Sequence, residues 1–113
     1  MWMPLASSAD LDLCFQNEAP DSLVLKHSTR CALSSMAKSR LEKKKDDRLT
    51  YFIVDVIKNR DISDLLASRS GVRHESPQAF LIHGGKVIEV KSHLAINAAE
   101  FSKSVDSLSQ TQN

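Results

Sequence analysis

Apolar residues recur along this chain in two rhythms, one close to helical spacing and one of short unbroken runs, and their alternation predicts the elements. After Ser7 and Ser8, residues Leu11, Cys14 and Phe15 stand at i, i+3 and i+4, so a short amphipathic helix is expected there, ending near the stretch NEAPDS. That stripe puts Cys14 on the packing face. The run SLVLKH is bounded by turn formers and predicts a strand over Leu23 to Lys26. Leu33, Met36, Ala37, Arg40 and Leu41 return to helical spacing. The charge run EKKKDDR that follows reads as a solvated helix end, where lysines suit the negative end of the dipole. LTYFIVDVI is apolar nearly throughout, as in a strand covered on both faces inside a sheet.

Next, NRDISDLLASRSGV supplies Asp61 as an N-cap, Ile62, Leu65 and Leu66 as a stripe, and Gly71 as a stop signal, which predicts a helix. PQAFLIHGGKVIEVKS holds two strands joined through Gly84 and Gly85, a hairpin signal. Asn97 and Glu100 form a capping box, Ile96 and Phe101 its hydrophobic staple, and the last helix continues through Val105 and Leu108 before the polar tail at 109–113 frays. The order is helix, strand, helix, strand, helix, hairpin, helix. A right-handed crossover makes the first two strands parallel, and the hairpin adds an antiparallel pair, the first of its strands antiparallel to its neighbour. This is an α/β layout of thioredoxin-like type, with a four-stranded mixed sheet flanked by helices.

Length fits one domain over 1–113, because 113 residues are too few for two comfortable ones. Charged residues make up 26 % of the chain but leave a formal net charge of only +1, so the bulk electrostatics ask for neither nucleic acid nor a membrane surface. No apolar run approaches the roughly 20 residues that span a bilayer, and MWMPLASSAD lacks the basic start and apolar core of a signal peptide. A cytoplasmic location is expected. Two cysteines, Cys14 and Cys31, are too few for a disulfide scaffold, and a reducing compartment keeps them as thiols.

In the predicted order Cys31 falls where the first strand hands over to the next helix, so its sulfur faces the unpaired amides at the positive end of that helix, which favours a thiolate. Arg30 beside it and His27 at the strand end are candidates to reinforce that effect. Pro77 follows Ser76 and opens the strand QAFLI. A cis bond there turns the preceding carbonyl and amide outward, where they hold an extended substrate backbone. Cys14, on an apolar stripe, reads as a buried core thiol.

The segments KHSTRCALS, VDVIKNR, GVRHESPQAFLI and GGKV followed by SH, in that order from about Leu23 to Ile96, resemble the monothiol bacilliredoxin family, also called YtxJ. This is a thioredoxin-fold group tied to the low-molecular-weight thiol bacillithiol. The resemblance implies that Cys31 is the single redox cysteine and that Ser34 stands where dithiol relatives keep a resolving cysteine. It also makes Ser76 and Pro77 the cis-proline element. Two departures are Ala32, where the family usually has proline, and Leu94, where it usually has tryptophan. Ala32 leaves the first helical turn less rigid, since proline at that position fixes φ.

A thiol without a partner takes the small thiol from a mixed disulfide and waits for a second thiol to regenerate it. The implied activity is therefore removal of a small thiol, bacillithiol or one like it, from S-thiolated proteins by a monomer or weak dimer that holds no tightly bound cofactor. Ser34 is a candidate donor to the Cys31 thiolate. Thr29, Arg30, Ser76, Pro77, His74 and Glu75 are the candidate substrate-binding residues. His83 and His93 read as structural or surface groups, and Asp55 and Arg60 as a candidate pair below the site. His27 and Cys31 alone make no zinc site, which wants four ligands. A cluster bridged by one cysteine per subunit and a non-catalytic binding module are the rival readings.

Overall fold

The computed structural model describes residues 1–111; positions 112 and 113, the end of the expected polar tail, lie outside the described residues. The elements in chain order are β1 (Trp2–Pro4), α1 (Ser8–Cys14), β2 (Ser22–His27), α2 (Ala32–Lys43), β3 (Thr50–Asp55), α3 (Arg60–Ser70), β4 (Gln78–His83), β5 (Lys86–Ser92), a 3-10 turn (His93–Ala95) and α4 (Ala98–Thr111). The sheet has five strands in the order β1-β3-β2-β4-β5, one more than the four expected. The added strand is β1, parallel to β3 with Trp2 opposite Tyr51. Three residues without alternation carry no periodic signal. They are held by tertiary contacts: the Trp2 ring meets Tyr51 edge to face at 5.4 Å, and its indole N–H donates to Glu42 Oε2 at 2.7 Å.

β2 and β3 are parallel and β4 is antiparallel to β2, as the crossover rule predicts. The strand covered on both faces is β2, whose six residues are all buried, Lys26 included. In β3 only Tyr51 and Val54 are buried and the other four residues are half-buried, because its outer neighbour is only the short β1. The sheet faces divide the core. Leu23, Leu25, Ala79 and Leu81 pack with α2 and α4, whereas Val24, Phe80 and Ile82 pack with α1 and α3. Cys14 sits in the second cluster at 2 % exposure, and burial pushes its thiol pKa up to about 11.

Several element ends differ in detail from the sequence reading. Asn59, not Asp61, is the N-cap of α3; Asp61 lies inside its first turn. The turn before α3 is organised instead by Asp55, whose carboxylate accepts the amides of Ile57 and Lys58 at 2.9 and 3.0 Å. Asp55 therefore does not pair with Arg60, which reaches Asp64 one helical turn on at 3.2 Å. On α2 the buried stripe is Ser34, Ala37 and Leu41, and Met36 is exposed. The charge run is not merely solvated: Arg48 bridges Asp46 and Asp106, tying the α2–β3 loop to α4. α4 keeps its helix to Thr111, beyond the expected start of fraying at 109.

Gly71 ends α3 in the left-handed region. Gly84 and Gly85 both have positive φ, 57° and 76°, the requirement of a two-residue hairpin turn. A Cβ at Gly85 would also lie 2.6 Å from the carbonyl oxygen of Phe15, so the hairpin tip is closed against the end of α1 by the lack of a side chain.

Candidate active site

The strands β2 and β3 end at one pole of the sheet, and β4 begins there, since Lys26 is paired with Gln78 and His27 with Asp55. The turn from Ser28 to Cys31 leaves β2 at that pole. It is closed by the Cys31 amide donating to Ser28 O at 3.2 Å and by the Arg30 amide donating to Ser28 Oγ at 3.3 Å. Cys31 is the N-cap of α2 in extended conformation, and its side chain makes no capping hydrogen bond. A partly exposed sulfur thus stands at the end of a 12-residue helix whose first amides have no intrahelical acceptor, where negative charge is favoured. Thr29 and Arg30, flanking it, are exposed.

Ser34, three residues into the same helix turn, is fully buried. Its hydroxyl lies 2.6 Å from His27 Nδ1 and accepts the Ser28 amide at 3.0 Å. Among the described residues these are its partners, in place of the Cys31 sulfur expected from the sequence. His27 adds no positive charge to the site. Burial, followed by nearby Lys38, lowers its pKa from the ordinary imidazole value and keeps it neutral. The pair fixes the turn that presents Cys31.

The Ser76–Pro77 peptide bond is cis, and Pro77, directly before Gln78, lies at the same pole as His27. The segment leading to it is secured by a residue that sequence reasoning passed over. Buried Gln78 donates to Arg73 O at 3.1 Å and to Ser92 Oγ at 3.3 Å, and accepts the Glu75 amide at 3.4 Å. The Pro77 carbonyl accepts the His93 amide at 2.9 Å, and the His93 ring lies 3.9 Å from the Glu75 carboxylate. His93 therefore belongs to the rim of this pole, with φ of 53°, a left-handed conformation uncommon outside glycine. Glu75 is exposed and His74 half-buried. Ser76 Oγ is a buried hydroxyl for which no partner is found among the described residues.

The second polar group missed from the sequence is Lys26. It has no exposed surface, its ammonium lies 3.1 Å from His74 Nδ1 and 5.3 Å from the centre of the Phe80 ring, and burial lowers its pKa to about 8. Ser63 Oγ joins at 3.0 Å from the same His74 nitrogen. Burial and the neighbouring Lys26 keep His74 neutral. The signal was present: a lysine inside an otherwise apolar strand rarely goes fully buried without a partner.

Cys14 is at the other pole. It lines a hollow with Ser22 and Thr50, the first residues of β2 and β3, whereas Cys31 follows the last residue of β2. A strand of this length separates the poles by about 16 Å at 3.3 Å per residue, more than twice the Cα separation that a disulfide spans. His83 is there too, 2.7 Å from Asp21. Among the described residues no three His, Cys, Asp or Glu side chains come together as a metal site, and no helix is long and apolar enough to cross a membrane.

Comparison with known proteins places this geometry. The family model described as monothiol bacilliredoxin BrxC matches residues 3–101. A solved structure described as a candidate oxidoreductase with a thioredoxin fold is 30 % identical, superposes with a TM-score of 0.82, and the match covers 90 % of this chain and 91 % of that one. A mutant thioredoxin from Halobacterium salinarum (19 % identity, TM-score 0.72, 94 % and 88 % of the two chains) and the thioredoxin of Malassezia sympodialis (16 %, 0.71, 92 % and 87 %) share the fold. A thioredoxin-like fold, a helix-capping cysteine with serine at the fourth position, and a family match over most of the chain support a thiol redox function. The chain belongs to the monothiol bacilliredoxin family.

Proposed function

We propose that the protein is a monothiol exchange enzyme that removes a low-molecular-weight thiol, bacillithiol or a close equivalent, from S-thiolated proteins in a reducing, cytoplasmic setting. The Cys31 thiolate attacks the small-thiol sulfur of the mixed disulfide; that S–S bond breaks, the protein sulfur leaves as a thiolate, and the small thiol stays on Cys31. A second small-thiol thiolate then attacks this adduct, releasing the symmetrical small-thiol disulfide and restoring Cys31. Thr29 and Arg30 flank the reacting cysteine in sequence, His74 and Glu75 lead into the Ser76–Pro77 segment, and in this reading all four line the substrate groove while that segment offers its backbone to the substrate chain.

The observation that carries this reading is the isolation of Cys31. It caps α2 with its sulfur unpaired, the neighbouring position holds a hydroxyl already engaged by His27 and Ser28, and the other thiol sits at the far pole. Such a centre forms a mixed disulfide and has no internal route to resolve it.

The test is intact mass after incubation with a reporter peptide carrying bacillithiol in mixed disulfide. The small thiol should move to Cys31 in the natural protein and in Cys14→Ser, and not in Cys31→Ser. Absence of transfer in the natural protein, with partner proteins still captured by Cys31→Ser, would replace the enzyme by a binding module.

A further inference from the structure

We propose that Lys26 is a positioning residue for the exchange: its ammonium holds His74 as the tautomer protonated on Nε2, so that the ring offers an N–H at the rim of the site to a carbonyl of the substrate chain. The inference rests on the exchange reading above and adds to it how the protein half of the substrate is held.

Lys26 and Gln78 stand directly opposite each other in the antiparallel pair of β2 and β4, so their side chains leave the sheet on one face. It is the face that α1 and α3 cover, where Lys26 lies over the Phe80 ring. Both side chains reach the segment that leads to the cis-proline. Gln78 holds the Arg73 carbonyl and the Glu75 amide, and the His74 ring between them is held by Lys26 and by Ser63 of α3. Three consecutive residues just before Ser76 and Pro77 are thereby fixed from below. Cys31 instead caps α2, which packs on the opposite face. The cluster therefore acts on the site through this segment rather than through the thiol.

The contact selects one form of the ring. An ammonium carries donors and no acceptor, so Nδ1, 3.1 Å from it, is the bare nitrogen and the proton of the neutral imidazole resides on Nε2. Near pH 7 Lys26, its pKa lowered to about 8, is still mostly charged. Ser63, 3.0 Å from the same nitrogen, suits either tautomer, since a hydroxyl both donates and accepts. The selection comes from Lys26. Arg60 and Asp64, whose charges act on both Lys26 and His74, are paired with each other and pull in opposite directions. Lys26 and Ser63 have no exposed surface, so the Nδ1 edge of half-buried His74 faces inward and the Nε2 edge is left toward the pole. An apolar side chain of similar length would fill the same space without the cost of burying a charge. What the ammonium supplies is a donor that cannot accept.

The test compares two mixed disulfides of bacillithiol, one with an extended reporter peptide and one with free cysteine, which has no chain to lay on the segment; excess bacillithiol is the second substrate. At pH 7 Lys26→Met should raise the peptide KM by about three- to tenfold with kcat changed by less than about twofold, and the ratio of peptide to cysteine kcat/KM should fall with it. Heteronuclear NMR of the imidazole nitrogens, with the His74 signals assigned by their loss in His74→Gln, should show Nε2 protonated in the natural protein and a mixture of tautomers in Lys26→Met. In a His74→Gln background the side-chain amide carries donors whatever its neighbours do, and there Lys26→Met should no longer change the peptide KM. An unchanged tautomer or peptide KM, an equal loss on the peptide and cysteine disulfides, or a full Lys26→Met effect beside His74→Gln overturns the proposal while the exchange reading stands. No transfer from either disulfide to the natural protein overturns the exchange reading, and the proposal falls with it.

Discussion

Exchanging the Ser34 hydroxyl for other groups separates its structural contribution from the chemistry its position allows. Ser34→Ala leaves the His27 ring nitrogen and the Ser28 amide without their partner in a buried setting, and an unfolding free energy lower by about 1–3 kcal/mol is expected by denaturant titration. Ser34→Cys loses the same bonds but places a thiol at the third helical position, next to the N-cap where Cys31 stands. That spacing brings the two side chains together, as it does for capping pairs. Mild oxidation of this variant should remove two hydrogens from the intact mass and block both thiols to alkylation; a variant that stays doubly alkylatable would show that the turn cannot close. Lys26 gives the opposite kind of prediction. Its folded pKa of about 8 lies below the unfolded value of 10.5, so between these values the unfolded chain binds more protons and stability rises with pH. Lys26→Met should abolish that rise relative to the natural protein and increase stability at pH 7 by about 1–3 kcal/mol, measured as paired unfolding curves from pH 7 to 10.5.

Among the elements, the loop between α2 and β3 is held by a carboxylate as well as by the buried Leu49. The Asp46 carboxylate accepts from Arg48 and from the Ser102 hydroxyl, and the Asp46 amide donates to the Tyr51 oxygen. Hydrogen bonds from Arg48 hold the Asp46 carboxyl well below the usual range. Its folded pKa being lower than its unfolded one, this stabilisation is present above about pH 4 and is lost as the pH falls through the folded value. Asp46→Asn should reduce stability at pH 7 by about 1 kcal/mol and flatten the acid limb, read from thermal unfolding at pH 2 to 7. An unchanged acid limb would assign the loss to other carboxylates. The added strand β1 depends on the same kind of long-range contact, Trp2 with Tyr51 and Glu42, and it brings Leu5 to the wall of a cavity beside the site.

Across the whole molecule the two thiols are set apart in both place and chemistry. Cys14, buried and with its pKa raised to about 11, remains protonated near neutrality, so iodoacetamide on the native protein should add one label, at Cys31, and two after denaturation. Acid acts on both faces of the sheet at once: His27 and His74 have folded pKa values below the ordinary 6.5. The unfolded chain takes up protons first, and stability should fall as the pH drops from about 7 to 5, with His27→Asn and His74→Gln each removing part of that fall in calorimetric scans. Read from residues alone, periodicity located four of the five strands and all four α-helices found among the described residues, because burying one stripe or one run writes itself into local spacing; local cap chemistry likewise marked Gly71, Asn97 and the turn at Gly84 and Gly85. The element order and the segment from KHSTRCALS onward also put Cys31 at a strand-to-helix junction, where the structure has it. What no local pattern records is which side chains from distant segments meet. The pairing of Trp2 with Glu42, of Lys26 with His74, of Gln78 with Arg73 and Ser92, and the capture of the Ser34 hydroxyl by His27 were decided only when the chain closed, since hydrogen bonds and buried charge depend on positions in space that spacing along the chain does not encode.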